Sequence, residues 1–129
     1  ALLGAPLIHD FAAVSLSDAL TPWETIARRL LLAAEGDFVL CLYNPASKKR
    51  PDTLRQAAEL LLRRRAPDTP CGLARRIGRE GEESWLCTLG ELGEQPADMF
   101  TTVFVGNSQT QVVNGRLVTP RGYEGKGTL

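Results

Sequence analysis

The sequence predicts one layered α/β lobe, in which a mixed sheet of about five strands is flanked by helices. Two segments with apolar residues at helical spacing lie in the first half, separated by a continuous apolar run. The second half holds β-branched runs and an Asn-Gly pair between apolar residues, which is typical of strands and a hairpin. The length of 129 residues, 43% of them hydrophobic and 23% charged, suits one ordinary domain with a packed core.

A strand and a capped helix are predicted first. Residues 6–16 mix apolar and β-branched side chains, which favours a strand. Thr21 and Glu24 have the spacing of a capping box, and Pro22 between them fits the first helical position. Gly36 is expected to end this helix. Its predicted apolar face consists of Trp23, Ile26, Ala27, Leu30 and Ala34.

The next strand and helix follow directly. Residues 38–43 form a continuous apolar run, which indicates a strand buried on both faces and ended by Asn44-Pro45. A second helix is expected to begin near Asp52 or Thr53, with Arg63–Arg65 as a solvated cluster at its negative end. The predicted apolar face of this helix consists of Leu54, Ala58, Leu61 and Leu62.

The remainder of the chain is predicted to be mostly strand. Candidate strands span residues 71–77, 83–88 and 101–105. Asn114-Gly115 lies between two apolar pairs, which is a strong hairpin signal.

Composition argues against several classes of protein. The formal net charge is zero, whereas nucleic-acid binders that neutralise phosphates are usually strongly basic. No apolar run approaches the roughly 20 residues that span a bilayer. The three cysteines form no C-x-x-C pair and lie in apolar stretches, which favours buried thiols in a reduced, cytoplasmic protein. With His9 as the only histidine, no metal site is expected.

Three turns follow buried strands, at residues 43–45, 77–81 and 106–110. Ligands of open α/β sheets bind beside strand ends, but Gly, Asn and Pro also belong in ordinary turns, so both interpretations stay open. Basic residues cluster after two of these strands, at Lys48–Arg50 and at Arg75, Arg76 and Arg79. These cations either meet an acidic ligand or are simply solvated.

Several strings of the sequence, in order and over nearly the whole chain, resemble the precorrin-3B C17-methyltransferases of the tetrapyrrole methylase family. The strings are residues 4–11, 15–24, 42–50, 78–82, 101–110 and 119–123, among which L-Y-N-P-A-S-K-K-R and G-N-S-Q-T are the most specific. The resemblance implies a two-lobed α/β enzyme, usually dimeric, that holds S-adenosylmethionine between its lobes. Residues 1–129 would be the C-terminal lobe, with the N-terminal lobe absent.

The reaction implied by the resemblance is methylation of precorrin-3B at C17 with ring contraction to precorrin-4, in cobalamin biosynthesis. The anaerobic counterpart acts on cobalt-factor III, and another precorrin methyltransferase is a further alternative. The isolated lobe is expected to be an inactive module for the cofactor cleft and for dimerisation. A nucleic-acid or membrane partner is not expected.

The resemblance also assigns roles to single residues. The cofactor would contact Leu42, Tyr43, Asn44, Gly72, Arg76, Ile77, Gly78, Thr101 and Thr102, and many members carry Asn where this chain has Arg76. His9, Asp10 and Asp18 would face the substrate and position it or handle protons, although His9 could equally be a buried structural side chain. The acidic arms of the tetrapyrrole would meet Lys48, Lys49, Arg79 and Arg121.

Overall fold

The computed structural model describes residues 3–7, 10–47 and 49–120, which fold into two sheets and three helices. The five-stranded sheet has the order β2-β3-β6-β4-β5, and a small sheet has the order β1-β8-β7. The predicted mixed five-stranded sheet with flanking helices is therefore confirmed, whereas the small second sheet was not foreseen. The elements are β1 (Gly4–Ala5), β2 (Phe11–Ser15), α1 (Trp23–Glu35), β3 (Val39–Tyr43), α2 (Thr53–Leu61), β4 (Pro70–Arg75), β5 (Glu83–Thr88), α3 (Leu89–Leu92), β6 (Thr101–Val105), β7 (Gln111–Val113) and β8 (Arg116–Val118).

The strand directions decide which connections lie together. β2 runs parallel to β3, and β6 runs antiparallel to both β3 and β4. The last strand, β5, runs antiparallel to β4. The ends of β2, β3 and β4 and the beginnings of β5 and β6 therefore share one end of the sheet, which we call the carboxyl end. The opposite end is called the amino end.

All three helices pack on one face of the five-stranded sheet. Alternate residues of β2, β3, β4 and β6 join the helices in a single buried cluster, because successive side chains of a strand point to opposite faces. Most residues of the predicted faces of α1 and α2 are buried, but Trp23 and Ala27 are only partly buried. Leu62, which follows the last residue of α2, is exposed. The buried helix residues are Ile26, Leu30, Ala34, Leu54, Ala57, Ala58, Leu61, Leu89 and Leu92.

The predicted capping box at the start of α1 is wrong. Pro22, and not Thr21, is the N-cap of α1, and no side chain caps this helix. The extended backbone of Pro22, with ψ of 143°, aims its carbonyl at the amides of Thr25 and Ile26. A reciprocal arrangement of the predicted kind occurs instead at α3, where the Glu91 carboxylate accepts from the Thr88 amide at 2.9 Å. Gly36 ends α1 as predicted.

The hairpin near the end of the described chain is confirmed. Asn114 and Gly115 join β7 to β8 with φ values of 52° and 72°. Two consecutive positive φ values define the type I′ turn, whose twist matches that of a two-stranded ribbon. None of the three helices in the described ranges has the length and hydropathy of a bilayer-spanning segment.

Arg65 corrects the prediction of a solvated basic cluster after α2. Arg63 and Arg64 are exposed, but Arg65 is only 9% exposed. Its guanidinium donates to the Gly106 carbonyl at 2.8 Å and also to the Phe38 carbonyl. Burial lowers the pKa of Arg65, and the nearby Asp37 carboxylate opposes that effect. The side chain thus ties together segments that meet at the amino end of the sheet.

The cysteines are free thiols inside the strands, as predicted. Cys71 of β4 lies directly opposite Cys87 of β5, on the helix-covered face. Burial raises the pKa of both thiols, and for Cys87, where the Glu91 carboxylate adds to the effect, it reaches about 11. Both side chains therefore behave as small apolar groups at neutral pH.

Replacement of Arg65 by Met is expected to lower the free energy of unfolding by about 2–4 kcal/mol. The Phe38 and Gly106 carbonyls would lose a donor, and each buried group left without a partner costs about 1–3 kcal/mol. Urea denaturation measures the effect, with the exposed Arg64→Met as a matched control. Equal midpoints for the two variants would contradict the structural role of Arg65.

Alkaline pH is expected to destabilise the protein through its cysteines. The pKa of Cys87 is raised from 9.0 to about 11 on folding, so its contribution is fully present below pH 9 and is lost as the pH rises towards 11. The double variant Cys71→Ala, Cys87→Ala should show a shallower loss of stability over this range than the unmodified chain. Urea denaturation at pH 8, 9 and 10 measures the free energy of unfolding of both proteins. An equal loss with rising pH in both would show that the cysteines do not cause it.

Candidate functional site

The carboxyl end of the sheet brings together several of the residues assigned to the cofactor. Ser15, Tyr43 and Thr102 lie side by side on adjacent strands, on the face without helices. Asn44 continues directly from Tyr43, and its side-chain amide donates to the Ser15 hydroxyl at 3.2 Å. Tyr43 is 44% exposed and Thr102 is partly exposed, so both side chains are accessible to a ligand.

Two of the four non-glycine residues with positive φ in the described ranges lie at the same end. Asn44 and Arg76 follow β3 and β4 directly, and both have left-handed backbones, with φ values of 53° and 55°. Asn tolerates this conformation well, whereas for Arg it is uncommon, and such residues cost about 1–3 kcal/mol each. Residues held in strained conformations cluster at ligand-binding sites.

The loop after β4 is ordered by its own main chain and by one carboxylate. Gly78 and Gly81 have φ values of 74° and 80°, which glycine adopts without steric cost. The Gly78 amide donates to the Glu82 carboxylate at 2.7 Å, and the Arg76 amide donates to the Phe100 carbonyl at 3.1 Å. The second contact joins the loop to the residue before β6, so the loop, including the exposed Ile77, lies at the carboxyl end.

A hollow of about 440 Å³ opens at this end and unites residues from all three predicted groups. Asn44 from the cofactor set, Asp18 from the catalytic set and Lys49 from the substrate set all line it. The Asp18 carboxylate accepts from Arg50 Nε at 3.0 Å, which bridges the connections that follow β2 and β3. This ion pair joins the two connections.

A second, larger hollow of about 710 Å³ adjoins the first and was missed by the sequence reasoning. Its walls are mainly apolar, and its lining is Ala46, Ser47, Lys49, Pro51, Ala97, Asp98, Met99 and Phe100. Met99 and Phe100 are 62% and 47% exposed, and the Arg79 guanidinium lies over the Phe100 ring at 5.5 Å. The available signal was an apolar Met-Phe pair immediately before a strand, where a polar turn is usual.

Three residues of the predicted cofactor set do not offer their side chains to this site. Leu42 is fully buried in the helix-covered core. The Thr101 hydroxyl is 2% exposed and donates to the Asp98 carboxylate at 3.0 Å. Gly72 lies deeper in the sheet, where an added Cβ would come within 3.0 Å of Leu3 and Leu117. Close packing under the small sheet therefore explains the glycine without a ligand.

The third ligand-binding candidate among the turns, residues 106–110, lies at the opposite end. β6 runs antiparallel to β3 and β4, so the turn after it leaves from the amino end. The side-chain amide of Asn107 donates to the Asp37 carbonyl at 3.0 Å, and the backbone amide of Ser108 donates to the Asp37 carboxylate at 2.9 Å. The turn is thus a clamp on the end of α1, away from the residues assigned to the cofactor.

Of the remaining predicted site residues, the structure describes only Asp10. Asp10 is exposed and precedes β2, so it lies at the amino end, far from Asp18. His9, Lys48 and Arg121 lie outside the described residues. Within the described ranges, no group of three or more His, Cys, Asp or Glu side chains is placed to hold a metal ion.

Comparisons with known proteins show the family of the chain. The model of a family described as Tetrapyrrole (Corrin/Porphyrin) Methylases matches residues 1–93. A probable cobalt-factor III C(17)-methyltransferase of Salmonella typhimurium is 50% identical over 122 residues, which cover 95% of this chain and 51% of that protein. A precorrin-3B C(17)-methyltransferase of a Sinorhizobium species is 48% identical over 130 residues, which cover 97% of this chain and 51% of that protein.

A solved structure shares the fold. The crystal structure of the methyltransferase CobJ superposes with a TM-score of 0.86 at 39% identity, over 92% of this chain and 50% of that one. The chain thus spans about half the length of these relatives.

Proposed function

The chain belongs to the tetrapyrrole methylase family, and on that premise we propose that it forms one lobe of a cobalamin-pathway C17-methyltransferase. In this proposal the enzyme transfers a methyl group from S-adenosylmethionine to C17 of precorrin-3B, with ring contraction to precorrin-4. The cobalt-containing counterpart, cobalt-factor III, is the alternative substrate. Of the two relatives described above, the first is named for cobalt-factor III and the second for precorrin-3B.

One observation carries the proposal: Tyr43, Asn44, Thr102 and the loop that begins at Arg76 meet at one end of one sheet. These are positions that the family resemblance assigns to the cofactor. The hydroxyls of Tyr43 and Thr102 take no hydrogen-bond partner within the described part of the chain, so they are available to the polar groups of an adenosyl ligand. The site therefore fits S-adenosylmethionine.

When bound, S-adenosylmethionine supplies an electrophilic methyl group on a sulfonium centre. Transfer of that group is an in-line displacement, so the main task of the chain is to align donor and acceptor. Asn44 and Arg76, locked in left-handed conformations on either side of the start of β6, give the site a rigid main-chain frame. Asp18, held by Arg50, fixes the neighbouring connection.

The substrate explains the cations at the carboxyl end. A tetrapyrrole of this pathway carries many acetate and propionate arms, and Lys49 and Arg79 are exposed at this end. Lys48 and Arg121 are proposed for the same role on the family resemblance alone.

The proposal assigns the opposite wall of the cleft to an N-terminal lobe outside these 129 residues. Its support is that the chain spans about half of its relatives. A homodimer in the cytoplasm belongs to the same proposal and rests on the resemblance alone.

The test of the activity is product analysis with the full-length protein that contains these residues. Incubation with S-adenosylmethionine and either precorrin-3B or cobalt-factor III should yield a ring-contracted product carrying one additional methyl group at C17, identified by mass spectrometry and NMR. Methylation at a different carbon would assign the protein to another branch of the family. No turnover of either substrate would reject the proposal.

The cofactor site has its own test in Thr102→Val, which removes a hydroxyl while keeping the shape of the side chain. Loss of one hydrogen bond is worth about 0.5–1.5 kcal/mol, so the affinity for S-adenosylhomocysteine should fall about 3- to 10-fold. Calorimetry on the full-length protein measures it. The matched control Thr25→Val lies on α1, on the helix-covered side of the sheet, and should bind like the unmodified protein. Equal affinity for all three proteins would exclude the Thr102 contact.

A further inference from the structure

The apolar hollow beside the proposed cofactor site has no role so far. It encloses about 710 Å³ and lies between the turn before β6 and the connection after β3. Met99 and Phe100 are its most exposed apolar side chains. Both are large apolar residues of the turn, 62% and 47% exposed, so a large part of each side chain is open to a ligand.

The two hollows form one continuous surface. Ala46, Ser47, Lys49 and Met99 line both of them, so the apolar walls begin where the hollow with Asn44 and Asp18 ends. A ligand that lies on Met99 and Phe100 can therefore extend towards the site assigned to the cofactor.

Cations lie at the rim of this apolar surface. Lys49 stands where the two hollows meet. The Arg79 guanidinium lies over the Phe100 ring at 5.5 Å, which orients it. Its N–H groups have no hydrogen-bond partner among the described residues, so they can bind a carboxylate. The surface thus pairs an apolar lining with two positive charges at its margin.

The one carboxylate in the lining does not cancel this pattern. Asp98 accepts from the Phe100 amide at 2.8 Å and from the Thr101 hydroxyl at 3.0 Å, and its second oxygen lies 3.7 Å from Arg75 Nε. Its charge is therefore satisfied within the turn, and the net character of the rim is positive.

We propose that Met99 and Phe100 form the seat for the apolar macrocycle of the tetrapyrrole, and that Arg79, held by its stack on Phe100, anchors one of the acidic arms. This assignment rests on the proposed function and adds the residues that select its substrate. A macrocycle with carboxylates at its edge is complementary to an apolar surface with cations at its rim. A purely apolar partner would leave Lys49 and Arg79 unused.

The test measures the KM of the full-length enzyme for the tetrapyrrole and for S-adenosylmethionine separately. Met99→Gln keeps the length of the side chain but makes it polar, and Phe100→Leu keeps it apolar but removes the ring. Each should raise the KM for the tetrapyrrole about 5- to 10-fold, the range expected for partial loss of one buried side chain, and leave that for S-adenosylmethionine within about twofold. The control is Leu32→Gln, at an apolar residue of α1 that is 56% exposed, and it should change neither constant.

The stacked arginine is tested by a double-mutant cycle. Arg79→Met should raise the KM for the tetrapyrrole about tenfold in the unmodified enzyme, and clearly less in the Phe100→Leu background, because the guanidinium is no longer held there. Additive effects of the two changes would overturn the stacking role. An unchanged tetrapyrrole KM in Met99→Gln and Phe100→Leu would overturn the seat itself. These failures differ from failure of the proposed function, in which the unmodified enzyme turns over neither tetrapyrrole.

Discussion

The double pairing of β6 is the constraint on which the arrangement of the site depends. Four of its five residues pair antiparallel with β3 on one side, and all five pair antiparallel with β4 on the other, so β3 and β4 must run in the same direction although they are not paired with each other. Their ends then flank the beginning of β6, and the chain has to leave both strands within one residue. The left-handed backbones of Asn44 and Arg76 are the local consequence of those two abrupt exits.

The two faces of the sheet differ in how far they are covered. One face carries all three helices and the core. There Leu42 packs in the core, and the Thr101 hydroxyl is hydrogen-bonded to Asp98. The other face is only partly covered, where Leu3 and Leu117 pack over Gly72. At the carboxyl end of that open face, Tyr43 and Thr102 remain accessible. Because successive side chains of a strand point to opposite faces, neighbouring residues such as Leu42 and Tyr43 lie in different surroundings, one in the core and one on the open face.

The amino end of the sheet is consolidated by buried charge instead. Burying a guanidinium is costly, and the Gly106 and Phe38 carbonyls and the nearby Asp37 compensate the charge of Arg65. The clamp formed by Asn107 and Ser108 on Asp37 strengthens the same corner. The apolar and cationic groups that we propose to bind the substrate lie at the opposite, carboxyl end.

The sequence by itself determined what depends on neighbouring residues: the strands at 83–88 and 101–105, the end of α1 at Gly36, and the Asn114-Gly115 hairpin. The sequence also indicated the family, because strings such as residues 42–50 are specific to it and can be identified without coordinates. Tertiary structure alone decided that Arg65 is buried, that the 106–110 turn lies away from Asn44, and that Met99 and Phe100 border a hollow. The physical reason is that strand direction and burial in a mixed sheet follow from hydrogen bonds to distant segments, which local spacing does not encode.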